Sequence, residues 1–209
     1  MMRHRLIPLA LAVLLSACSA LPDKPVRPTL YDFGPLPQPA TSASAAPQPA
    51  LVLPDIDASG SLEGSSLFYR LGYVDANQLR PYAFARWSAP PAQLVRQRLR
   101  EVLGRDRMVL DANDAAALAR TGSRAQLVLR VELEEFSQLF ESTTQSVGLL
   151  RLRCTLLDNT AGGERLIAQR SFSLQQPAAS ADAPGGVRAL AAATDTAAQD
   201  IARWIAQAR

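Results

Sequence analysis

The sequence predicts a single α+β domain, a mostly antiparallel sheet with helices packed on one face. Three observations carry that expectation. Leu127, Leu129, Val131 and Leu133 alternate with Val128, Arg130, Glu132 and Glu134, so residues 126–136 have the period-two pattern of a half-buried strand. The alternation recurs over residues 147–157 and 165–174, with turn-forming residues 158–163 between them, so three strands meander. Segments with helical spacing lie on both sides of this meander, and such helices bury their stripes by covering one face of the sheet.

The elements follow in order. Residues 19–30 carry Pro22, Pro25 and Pro28 and little to bury. They form a tether that, at ~3.1 Å per residue in a polyproline conformation, reaches roughly 40 Å. A second stretch, 34–50, carries Pro35, Pro37, Pro39, Pro47 and Pro49 and has the composition of a disordered segment. Tyr31-Asp32-Phe33 between them is a short extended candidate. Residues 18–50 are therefore assigned to an N-terminal linker and 51–209 to the folded domain. Within the domain, 51–57 is a strand whose Pro54 points to a sheet edge. Residues 66–73 form an aromatic-rich strand and 82–87 a third. Pro90 and Pro91 suit a first helical turn. The helix runs to Leu103, with Leu94, Val95, Leu99, Val102 and Leu103 on one side, and Gly104 ends it. Residues 107–110 make a short strand. Asp111 or Asn113 caps a small alanine-rich helix that stops at Gly122. In the meander, Arg151 and Arg153 face Glu132 and Glu134 across the ladder, each pair worth about half a kcal/mol. Arg170 interrupts the apolar face of the last strand, which a bulge, an edge position or a different register would each explain. A Pro/Gly linker, 176–186, precedes a final helix with Val187, Leu190, Ala191, Ala198, Ile201, Trp204 and Ile205 in its stripe.

The N-terminus is a targeting signal. Arg3, His4 and Arg5 precede an apolar stretch from Leu6 to Leu15, half the ~20 residues needed to span a bilayer. Small residues then lead into a cysteine in Leu15-Ser16-Ala17-Cys18, which resembles a bacterial lipobox. That resemblance implies cleavage of residues 1–17 as a signal peptide. It also implies a diacylglycerol on the Cys18 sulfur and a further acyl chain, palmitate being the usual one, on its amine. Two or more chains hold a protein firmly where one does not. Ser19 stands where an aspartate would retain such a protein in the inner membrane. The resemblance therefore implies an anchor in the outer membrane, with the body on its periplasmic face.

Removing the leader changes what chemistry is available. The whole chain has 22 Lys+Arg against 19 Asp+Glu, and Arg3 and Arg5 leave with the leader, so the mature chain is close to neutral. A near-neutral surface is no footprint for nucleic acid. His4, the single histidine, leaves too, which removes imidazole-based catalysis and histidine metal sites. Lys24 is the only lysine and lies near the anchor. With Cys18 acylated, Cys154 is left as a lone thiol on the strand face of Leu150, Leu152 and Leu156, a place for a small buried hydrophobe. Gly60 to Gly64 lacks the spacing and the lysine of a phosphate loop and is no nucleophile elbow. Asp55 with Asp57, and Glu132, Glu134 and Glu135, are carboxylate clusters better explained as solvated strand faces than as acid–base pairs. Arg96, Arg98 and Arg100 are better explained as a solvated helix face than as a site for anionic partners. The expectation is a protein that is not an enzyme, with no metal and no cofactor beyond its own lipid.

Phe68, Tyr69, Tyr73, Tyr82, Phe84 and Trp87 are half of the chain's 12 aromatics. Aromatics serve cores and interfaces alike, and composition favours the core. Around them the sequence resembles the ABC-type transport auxiliary lipoprotein family. The resemblance rests on Tyr31-Asp32-Phe33-Gly34-Pro35, Tyr69-Arg70-Leu71, Gln78-Leu79-Arg80-Pro81-Tyr82-Ala83, Arg86-Trp87, Pro90-Pro91, Leu94 and Arg98-Leu99, with the lipobox upstream. It implies an auxiliary docking component of a phospholipid transport system. Its partner would be a periplasmic MCE-domain protein and, through it, a permease and an ATPase. A ring or trimer of the lipoprotein would suit a tubular partner. Tyr69, Arg70, Tyr82, Arg86 and Trp87 are the expected partner interface. The competing expectation is a structural or assembly lipoprotein that supports an outer-membrane barrel or binds cell wall.

Overall fold

The computed structural model describes residues 26–35, 48–122, 127–160 and 162–208. The leader, Cys18, most of both proline-rich stretches and the start of the strand predicted from Gln126 lie outside the described residues. In order, the elements are β1 (Thr29–Tyr31), β2 (Gln48–Val52), β3 (Asp57–Ala58), a 3-10 turn (Gly60–Leu62), β4 (Ser66–Leu71), α1 (Gly72–Asp75) and β5 (Ala76–Trp87). There follow α2 (Pro91–Leu103), β6 (Arg107–Leu110), α3 (Ala112–Arg120), β7 (Leu127–Phe140), β8 (Ser146–Thr160), β9 (Gly163–Pro177) and α4 (Ala183–Gln207).

The long strands β7, β8 and β9 form the expected antiparallel meander, with Val131 opposite Cys154 and Cys154 opposite Arg170. On the other edge of β7, the chain from β2 to β4 runs alongside in parallel. Leu51 pairs with Leu127, Asp57 with Glu132 and Tyr69 with Gln138. β6 adds in parallel to β2, β5 antiparallel to β4, and β1 in parallel to β5. The sheet is thus mixed, which corrects the mostly antiparallel expectation. Each parallel contact is only two or three residue pairs long, too short to leave a pattern in the sequence. Pro54 does not mark an edge, because β2 is paired on both sides; it sits in the break between β2 and β3. Thr29 to Gly34, assigned above to the linker, belongs to the body. β1 joins the sheet and Phe33 packs against the core.

Helices α2 and α4 cover one face. Leu94, Val95, Leu99, Val102 and Leu103 of α2 and Leu190, Ala193, Ala197, Ile201 and Ile205 of α4 bury against Leu129, Leu133, Leu150, Leu152 and Leu156. Two glycines permit this close approach. A Cβ on Gly148 would stand 2.7 Å from the Leu190 backbone nitrogen. One on Gly186, in the first turn of α4, would stand 2.0 Å from the Gln138 side-chain oxygen. The predicted linker therefore ends four residues early: Asp182 caps α4, accepting from the Gly185 N–H, and Pro184 sits in the first turn. α3 departs from the one-face expectation. Its Ala115 packs on a small second cluster of Val52, Val128 and Leu157, which the strand alternation places on the opposite face. Asp111 rather than Asn113 is its cap, in a reciprocal capping box with Asp114.

Arg170 is explained by one of the three expected causes, the edge position, since it stands opposite Cys154 in regular register with Phe172. β9 is an edge strand, paired only with β8, and its register shifts where Leu156 faces Ala168 but Leu157 faces Leu166. The Arg170 guanidinium lies over the Phe172 ring at 5.2 Å and remains exposed. Glu132 and Glu134 both pair with Arg153, the former at 3.6 Å. Arg151 stands opposite Glu135 instead, and Glu135 is held by Arg70.

Candidate docking site

The aromatic segment folds as an antiparallel arm of β4 and β5 joined by the single turn α1. Its pairing is irregular. Ser66 faces Arg86 but Phe68 faces Pro81, so two steps along β4 meet five along β5 and residues 82–85 bulge out of register. The bulge separates the predicted interface residues into different environments.

Tyr69 and Tyr82 lie ring against ring at 4.6 Å, and Tyr69 meets Phe140 edge-on at 5.9 Å. The Tyr82 hydroxyl donates to Gln138 Oε1 at 2.8 Å, and Gln138 Nε2 donates to Ser146 Oγ at 2.8 Å. Burial pushes the Tyr82 hydroxyl well above its ordinary pKa, and the Tyr69 hydroxyl and Asp182 carboxylate nearby push the same way, so it stays a neutral donor. Arg70 Nη2 reaches Glu135 at 2.9 Å while Nη1 donates to the Ala76 carbonyl at 3.1 Å, bracing the arm on β7. Arg86 donates to Ser66 Oγ at 3.3 Å. These four are half-buried and each keeps part of its side chain at the surface.

Trp87 is different and corrects the expected interface set. It is 1% exposed, at 5.6 Å from Phe33 and 5.4 Å from Phe136, inside the core. β5 turns it inward beyond the bulge, so its side chain offers no contact surface. Phe84, in the bulge, stands outside at 62% exposure, as does Tyr73 at the end of the arm.

The residue that charge pattern misassigned is Arg98. It is 3% exposed, not part of a solvated face. Its guanidinium donates to Asp195 at 3.0 Å, to the Phe33 carbonyl at 2.9 Å and to the Gly34 carbonyl at 2.8 Å, and it lies 5.8 Å from the Phe33 ring centre. One side chain thus clasps the N-terminal segment to α2 and α4. Desolvation raises the Asp195 pKa, and Arg98 opposes that rise. The signal was present: Arg98 follows Leu94 by four and Val95 by three, which puts it on the buried stripe. Arg96 also turns inward, donating to the Pro54 and Leu53 carbonyls, and Arg100 stays exposed.

Beside the clasp is a cavity of about 200 Å³ lined by Asp32, Phe33, Leu94, Gln97 and Arg98. A wider open cleft of about 730 Å³ runs between the 3-10 turn and α2, lined by Asp55, Asp57, Glu63, Arg96 and Arg100. Carboxylates and guanidiniums both line it, and Asp55 stands 3.4 Å from Arg96. Cys154 is fully buried and unbridged, and burial pushes its thiol up to about 12. Among the described residues no group of three His, Cys, Asp or Glu is placed to hold a metal ion, and no helix is long and apolar enough to cross a membrane.

This arrangement has solved counterparts. A crystallised protein from Xanthomonas campestris superposes with a TM-score of 0.70 at 15% identity, covering 86% of this chain and 95% of that one. A second crystallised, uncharacterized protein gives 0.56 at 18% identity, covering 86% and 99%. A hypothetical protein from Chlamydia trachomatis gives 0.47 at 12% identity, covering 77% and 94%. At these identities the first two show the fold alone. No match was found among curated proteins. The sequence profile of the ABC-type transport auxiliary lipoprotein components, by contrast, matches residues 31–202, from the clasped N-terminal segment into α4. The chain belongs to the ABC-type transport auxiliary lipoprotein family.

Proposed function

We propose that this protein is the outer-membrane docking component of an MCE phospholipid transport system. In this reading Cys18, acylated, holds it to the periplasmic leaflet. The β4–β5 arm meets a periplasmic MCE-domain protein that connects to a permease and an ATPase. The body works by position, without chemistry or cofactor of its own. One observation carries the reading. The segment arriving from the anchor side is built into the sheet as β1 and locked by Arg98, so the folded body begins at Thr29, within eleven residues of Cys18. A docking piece needs that rigidity. Tyr69, Arg70, Tyr82 and Arg86, with Phe84 beside them, are the proposed contact residues; Trp87 supports them from within.

The test is crosslinking in cells from a photoreactive residue at Phe84. Capture of an MCE-domain protein supports the reading. Capture of an outer-membrane barrel or of peptidoglycan favours the structural alternative. Turnover of any phospholipid by the purified protein would overturn the non-enzymatic part.

A further inference from the structure

Among the described residues seven large hydrophobic side chains stand exposed, Val26, Leu30, Tyr73, Val74, Phe84, Met108 and Leu166, and five of them belong to the β4–β5 arm or to the chain that enters beside it as β1. Val26 and Leu30 are on the chain leading into the body, Phe84 is in the β5 bulge, and Tyr73 and Val74 form the tip of the arm. The topology gives this region a direction. β1 runs parallel to β5, with Thr29 opposite Ala85 and Tyr31 opposite Trp87, while β5 itself starts at the tip, at Ala76. The N-terminal end of β1 therefore points toward the tip.

The lengths agree. From Ala85 back to Ala76 is nine residues of strand, at most ~30 Å. From Thr29 back to Cys18 is eleven residues, whose extended reach is at most ~40 Å. Cys18 can thus stand level with Val74 or slightly beyond it. The tip is a built structure. Arg70 donates to the Ala76 carbonyl at 3.1 Å, and the Asn77 N–H donates to Asp75 Oδ1 at 2.9 Å, so the one tip carboxylate is already engaged. Arg27 on the entering chain and Arg80 on β5 are the arginines that flank these residues in sequence. Tyrosine and short aliphatic side chains beside arginines suit the boundary between headgroups and acyl chains.

We infer that the arm tip, through Tyr73 and Val74, rests in the same phospholipid surface that holds the lipid anchor, and so sets the orientation of the body on the membrane. This rests on Cys18 being the acylated residue. The tip adds little to attachment, which the acyl chains provide; it gives the body a second fixed point.

The test uses the full acylated protein in vesicles of phosphatidylethanolamine and phosphatidylglycerol. With Cys18 acylated and Cys154 buried, a thiol introduced as Val74→Cys is the one that takes a polarity-sensitive dye. Met108→Cys and Leu166→Cys, exposed elsewhere on the sheet, serve as references. The expected result is a blue-shifted dye at 74, quenched by spin-labelled lipid at least about threefold more than at 108 or 166. Equal, weak quenching at all three positions in protein that floats with vesicles would overturn the inference and leave the anchor standing. A blue shift at 74 without lipid quenching would mean that a protein surface, a second copy included, covers the tip, and would also overturn it. An unmodified Cys18 by intact mass, with protein that does not float, would remove the anchor and this inference together.

Discussion

The molecule holds two antiparallel hairpins of very different character. In β8–β9 the ladder runs from Val147 opposite Pro177 to Thr160 opposite Gly163 with one register shift, and α4 covers its apolar face. In β4–β5 the ladder is short, the bulge takes up three residues, and Tyr73 and Val74 at the tip are exposed. The first hairpin buries most of its large apolar side chains and leaves Leu166 outside, near its turn. The second puts Tyr73, Val74 and Phe84 outside and buries Leu67 and Trp87. Regular pairing under a helix is what builds a core. Irregular pairing that leaves apolar groups in water weakens the isolated fold, so it points to contact with something beyond the chain.

That contrast can be broken most sharply with aromatics of one strand. Trp87→Ala should cost about 3–5 kcal/mol, as for other large side chains removed from a core, whereas Phe84→Ala should change stability by less than ~0.5 kcal/mol. Urea denaturation of the two variants checks this, and similar losses for both would erase the distinction between the inner and outer sides of β5. Next comes the clasp joining the N-terminal segment to the helices. Arg98→Met leaves Asp195 and two carbonyls without their donor and should cost about 3 kcal/mol. Faster amide exchange of Tyr31 and Gly34 should accompany it, since β1 loses its hold.

Smaller effects sharpen the picture on the regular side. Gly148→Ala forces a methyl against the α4 backbone and should destabilise by about 2 kcal/mol, visible as a lower Tm. Tyr82→Phe removes one hydrogen bond from the Gln138–Ser146 chain while keeping the ring, and should cost about 1 kcal/mol. The smallest effect is electrostatic. The Asp182 pKa is held below its model-peptide value of 3.8 by the Ser180 hydroxyl and then the Gly185 N–H. A depressed carboxyl stabilises the fold above its unfolded pKa, and that contribution fades as pH falls through the lower folded value. Amide exchange at the start of α4 should therefore quicken as the pH falls below the ordinary carboxylate range, and Asp182→Asn should flatten the response. Because Asp182 is solvent-exposed, the change should stay local.

The regular half was legible in the sequence. Alternation located β7, β8 and β9, the double proline and Gly104 bounded α2, and the 3.6-residue stripe located α4. The irregular half was not. Its parallel contacts join residues 50 to 80 positions apart through a few pairs each, as with Leu51 and Leu127 or Thr29 and Ala85, and no local pattern encodes such pairing. Proline content hid β1, because composition describes a stretch while Phe33 acts as one side chain in a core. Charge hid Arg98, although its spacing was that of Val95 and Leu99. For the arm, residue types marked the right region, but the bulge decides which aromatic faces inward, and nothing in a list of aromatics announces a bulge.

The way β1 enters the sheet has a mechanical consequence. A pull on the chain ahead of Thr29, directed toward the arm tip, acts along the axis of β1. It loads the hydrogen bonds to β5 together, in shear, instead of peeling them one after another. Behind them stands Arg98, gripping two carbonyls of the same segment. Tension reaching this body along its leading strand is thus shared by the ladder and the guanidinium at once, and passes through them into the helical layer.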